Sequence, residues 1–159
     1  MKNELKSIKL GYGLGPLKFG MSRANVKMML GEPSNIEKYS YTDDDENLTE
    51  SWDYDELSLS LSFDEEDNYR LMLISITSPF YELEGKSLIG STEESVLEHL
   101  EALGMDDLEL EIMAEDDEFE NKLIEIEEKS INFWINDGVV DEIQWSPFFV
   151  DDDTVDWPE

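Results

Sequence analysis

The chain has 159 residues, 40% of them hydrophobic, enough for one ordinary domain with a buried core and too many for disorder throughout. It carries 41 Asp and Glu against 11 Lys and Arg, a formal net charge of −30, and no cysteine. Those figures exclude disulfides and thiolate metal sites, and a field of that sign repels nucleic acid and anionic membranes while steering basic partners inward.

The charge is unevenly placed. Residues 1–38 hold seven bases and three acids, whereas residues 39–159 hold four bases and 38 acids. Solubility is the ordinary explanation of such acidity, and a basic partner is the functional one. No apolar run reaches the ~18 residues of a membrane-spanning helix. The opening stretch "MKNELKSIKLGYGLG" lacks the apolar core of a secretory signal, so a cytoplasmic location is expected.

"GPLKFGMS" (15–22) comes within one residue of a phosphate-binding loop, with Met21 where the lysine should stand. The same pattern returns as "GKSLIGST" (85–92), placing Gly85, Gly90 and Thr92 seventy positions after Gly15, Gly20 and Ser22. Recurrence points to a structural device and away from nucleotide chemistry. Ser22 is positioned to cap a helix presenting Val26, Met29 and Leu30, which Gly31 and Pro33 stop. In the second copy Ser91 and Glu94 have capping-box spacing before Val96, Leu97, Leu100 and Leu103, with Gly104 as the stop.

Strands follow each helix. "ESWDYDE" (50–56), "LSLSLSF" (57–63) and "YRLMLISIT" (69–77) read as three, the second alternating Leu and Ser without a fault. "LELEI" (108–112), "LIEIE" (123–127), "SINFWI" (130–135) and "VVDEIQWS" (139–146) read as four more, with "NDG" (136–138) a strong hairpin signal. The expected architecture is α+β: two tandem units, each a helix and three or four antiparallel strands, with helices on one face. The expected boundaries are 1–79, 80–150 and an acidic tail at 151–159, with Trp157 folded back.

Catalytic signals are weak. His99, the single histidine, reads as a solvated residue on the wet side of the second helix, without an orienting partner. Carboxylate clusters such as "DEEDN" (64–68) lack calcium-loop spacing, and no cofactor or metal site is expected. Aromatic residues on strands say more. Trp134 is opposite in phase to Ile131, Phe133 and Ile135, and Trp52 and Tyr54 are interleaved with Asp53 and Asp55. Trp52, Tyr54 and Trp134 are therefore the expected anchors for a protein partner. Asp43, Asp44, Asp45, Asp64, Glu65, Glu66 and Asp67 would supply the charge around them.

"GPLKFGMSRANVKMMLGEP" (15–33) resembles the opening of a bacterial group in which a Phe-Gly-Met-Ser helix start is followed by a Leu-Gly-x-Pro stop. The helix-then-sheet unit resembles the SmpA/BamE outer-membrane assembly fold, and its doubling resembles the tandem-repeat β-lactamase inhibitor protein. The sequence departs from both in having no lipid-anchoring cysteine and no disulfide cysteines, so the resemblance does not imply a lipoprotein or a secreted inhibitor. Its size and acidity are similar to those of bacterial toxin-immunity proteins, which implies a non-enzymatic protein that binds and neutralises a basic toxin. A nucleic-acid mimic that occupies the site of a DNA- or RNA-binding protein is the alternative, and an enzyme using a carboxylate pair is the third.

Overall fold

The computed structural model describes residues 5–40, 48–105, 108–115, 120–151 and 154–158. The first elements in chain order are β1 (Ser7–Lys9), β2 (Gly13–Leu14), β3 (Leu17–Lys18) and α1 (Arg23–Leu30). Four strands follow: β4 (Asn35–Ser40), β5 (Leu48–Tyr54), β6 (Leu59–Asp64) and β7 (Arg70–Ile76). After β8 (Glu82–Leu83) and α2 (Glu93–Ala102) come β9 (Glu109–Glu115), β10 (Glu120–Ile126), β11 (Ile131–Asn136) and β12 (Val139–Trp145). The short pair β13 (Phe148–Phe149) and β14 (Val155–Asp156) ends the chain.

Strand takes 48% of the described residues and helix 20%, about twice the usual strand content of a globular domain. This corrects the α+β expectation: the fold is mostly β. The strands do not divide into two helix–sheet units either. They merge into one eight-stranded antiparallel sheet of order β4-β5-β6-β7-β12-β11-β10-β9. The sequence pattern predicts two repeats of a helix with three or four strands, helices on one face of the sheet, but the described helices span only eight and ten residues. Burial is governed instead by strand alternation, such as Leu59, Leu61 and Phe63 against Ser60 and Ser62, which lets neighbouring strands pair edge to edge across the whole molecule.

One face of the sheet carries the core. Trp52, Leu61, Phe63, Ile74, Ile124, Phe133, Ile143 and Trp145 are packed in one cluster with Val26 of α1, Val96 and Leu100 of α2, and Leu14 and Leu17 of the N-terminal hairpin. That hairpin belongs to a second sheet, of order β3-β2-β1-β8. Trp145 fastens the two sheets by donating its indole N–H to the Gly13 carbonyl at 2.9 Å. Gly13 is required there, because a Cβ would stand 1.9 Å from the Leu17 carbonyl oxygen.

The helix starts hold the expected device with one change. Ser22 Oγ accepts from the Asn25 amide, as the cap reading requires. In α2 the cap is Thr92, which accepts from the Ser95 amide, while Ser91 bonds the Ser87 carbonyl instead. The "NDG" hairpin forms with both Asp137 and Gly138 at positive φ, the twist a two-residue loop needs between β11 and β12. Other connections use a single 3₁₀ turn closed by a left-handed residue, at Asp55–Leu57 with Ser58 and at Glu127–Lys129 with Ser130. Trp157 folds back so that its ring lies over Gly20 and 5.2 Å from the Arg70 guanidinium.

Candidate functional site

The second face of the large sheet is covered by neither helix. Strand alternation places Asp53, Ser60, Ser62, Leu73, Ser75, Glu142, Gln144, Asn132, Trp134 and Glu125 on it. A chain of side-chain hydrogen bonds crosses its middle. Ser75 Oγ donates to Glu142 Oε2 at 2.5 Å, Gln144 Nε2 donates to the same oxygen at 3.1 Å, and Trp134 Nε1 donates to Gln144 Oε1 at 2.9 Å. The indole of Trp134 is thereby fixed in orientation while its ring stays half-buried.

The three expected anchors do not share a face. Trp134 lies on the uncovered side. Trp52 and Tyr54 lie on the helix-covered side, only 3% and 5% exposed. Trp52 packs against Phe63 with ring centroids 4.8 Å apart and donates to Glu50 Oε1 at 2.6 Å. The Tyr54 hydroxyl donates to the Gly31 carbonyl at 2.9 Å, and burial with the nearby Glu32 charge pushes its pKa up to about 12.

Of the expected charge, Asp43, Asp44 and Asp45 lie outside the described residues. Asp64 and Glu65 serve their own strand ends. Asp64 accepts from the Thr49 hydroxyl at 2.7 Å, and Glu65 accepts from the Leu48 amide and the Tyr69 hydroxyl. Glu66 and Asp67 share the 3₁₀ turn with Glu65. His99 is a further correction: it is half-buried, with Nε2 donating to the Leu83 carbonyl at 3.1 Å, so it ties α2 to β8 and does not face water freely.

A concavity lies where the uncovered face meets the chain after β12. A groove of about 560 Å³ is lined by the apolar Leu73, Phe148 and Phe149 and by Asn132 and Gln144 of the sheet. Glu125, Glu127, Glu128 and Asp151 also line it. Phe148 is seated against Gly11, whereas Phe149 is 46% and Val150 69% exposed. A second hollow, lined by Glu109, Glu125, Glu127 and Glu128, continues the acidic lining toward β9. Sequence reasoning could not bring residues 125–128 and 148–151 together, because no local signal links those two segments.

Among the described residues no three carboxylates or histidines converge closely enough to hold a metal ion. Among them, too, no helix is long and apolar enough to cross a membrane. Comparison with family models, with curated proteins and with solved structures finds no match to this chain. The resemblance drawn from residues 15–33 therefore rests on its motifs alone.

Proposed function

We propose that the chain is a non-enzymatic binding protein that captures a basic protein through the uncovered face of its sheet and, as an immunity protein does, neutralises a toxin in the cytoplasm. The groove after β12 carries this reading. Its apolar lining of Leu73, Phe148 and Phe149 offers contact area, and its acidic lining of Glu125, Glu127, Glu128 and Asp151 offers charge. Aromatic anchors surrounded by polar rims are the usual anatomy of a protein interface. A net charge of −30 adds long-range attraction for a cationic partner and repels acidic competitors.

A photo-crosslinking residue at position 149 tests the reading in the native host. The expected capture is a basic protein whose expression alone arrests growth, with the arrest relieved by co-expressing this chain. Relief should be lost when Phe149→Ala is combined with Glu127→Lys and Glu128→Lys. An acidic or harmless captured protein overturns the reading, and so does relief that survives the triple substitution.

A further inference from the structure

The large sheet ends in two edge strands of different character. The β4 edge carries Lys38 beside Glu37. The β9 edge reads Glu109, Leu110, Glu111, Ile112, with no base among them. Pairing with β10 sets Glu109 and Glu111 on the uncovered face, opposite Glu125 and Leu123, and sets Leu110 and Ile112 on the helix-covered face, opposite Ile124 and Lys122. Leu110 is 44% and Ile112 60% exposed, although they continue the core side of the sheet. The register then slips between Asn121 and Lys122, which leaves Glu109–Ile112 as a regular stretch before the irregularity, and among the described residues no strand pairs with its outer edge.

We propose that a strand of the partner adds to the free edge of β9, and that this strand alternates basic and apolar side chains. The proposal rests on the reading of the chain as a binder of basic proteins and specifies how such a partner is held. Main-chain hydrogen bonds to Glu109–Ile112 supply affinity. Cross-strand neighbours supply selection: bases oppose Glu109 and Glu111 on one face, and apolar residues cover Leu110 and Ile112 on the other. The hollow lined by Glu109, Glu125, Glu127 and Glu128 lies beside this edge, so the basic side of an added strand looks onto carboxylates that continue to the groove. A second copy of this chain is disfavoured as the occupant, since it would set Glu109 and Glu111 against like charges.

The test uses the full chain and a short peptide of alternating lysine and valine, with a second peptide N-methylated on the backbone of one edge. Methylation leaves charge and side chains intact but removes ladder donors. The expected result is protection of the Glu109–Ile112 amides from hydrogen exchange on binding, with affinity about tenfold lower for the methylated peptide. Leu110→Lys with Ile112→Lys, both at exposed positions, should weaken the unmethylated peptide similarly. Equal binding of both peptides, or binding without protection at 109–112, overturns strand addition. If binding persists in that case but is lost with Glu127→Lys and Glu128→Lys, the acidic groove reading survives alone.

Discussion

The indole nitrogen of Trp145 and the carbonyl of Gly13, 132 positions apart in sequence, share a buried hydrogen bond of 2.9 Å. It closes the last long strand onto the first hairpin. Trp145→Phe keeps a ring in the site and removes the indole donor to that carbonyl. The expected cost is about 1 kcal/mol, the net scale of one hydrogen bond, read as a lower urea midpoint.

Glu50 is a charge held inside the fold, 4% exposed on the helix-covered face. Trp52 Nε1 donates to one carboxylate oxygen at 2.6 Å and Arg23 to the other at 2.9 Å, while Lys38 stands at 3.9 Å. Arg23→Ala should destabilise the protein by about 2 kcal/mol, because the remaining partners compensate only in part. Lys38→Ala, which removes a longer and more exposed contact, should cost less than about 1 kcal/mol. Paired denaturation curves of the two variants check the order.

Burial pushes the hydroxyls of Tyr54 and Tyr81 up to about 12 from the ordinary value of 10.0. The folded protein keeps both protonated where the unfolded chain has begun to ionise. Their stabilisation is therefore complete below about pH 10 and is lost as the pH rises toward 12. Urea midpoints should fall across that window. Tyr81→Phe, which also removes the 2.5 Å bond from the hydroxyl to the Leu57 carbonyl, should lower stability at pH 8 and flatten the alkaline loss.

Salt should stabilise the fold. Residues 39–159 hold 38 acids and four bases, so screening relieves self-repulsion more than it weakens the few ion pairs. The melting temperature is expected to rise between about 10 mM and several hundred mM sodium chloride. A flat response contradicts the account.

Phe149→Ala should leave stability within about 0.5 kcal/mol of the parent, since the ring is 46% exposed. The same change should weaken capture of a basic partner markedly. Calorimetric melts beside binding titrations separate the two effects.

Local pattern was readable where one periodicity dominated. The Leu–Ser alternation of β6, the Asp137-Gly138 hairpin and the Ser22 cap all follow from chemistry within a few residues. The overall class was not, because eight strands joining in one sheet is a fact of pairing between distant segments. Phase set Trp134 opposite Ile131, Phe133 and Ile135 without saying which side was covered, and in the structure those three take the core side. Trp52 and Tyr54 show the limit of that argument. Alternation with Asp53 and Asp55 identified two faces of β5 but not which one was covered, and α1 covers the aromatic one. The groove was hidden for a related reason: its lining residues come from segments with no local signal for each other.

The seam between β7 and β12 is made by three residue pairs, whereas the flanking strand pairs within each half of the sheet have six. Its side-chain link, Ser75 to Glu142, spans 67 positions. Hairpins on either side can close from near neighbours, but this join must first pay the loop entropy of a long closure. It should form after the rate-limiting barrier. Ser75→Ala is then expected to speed unfolding while leaving refolding nearly unchanged, so the middle of the molecule sets how long it stays folded rather than how fast it gets there.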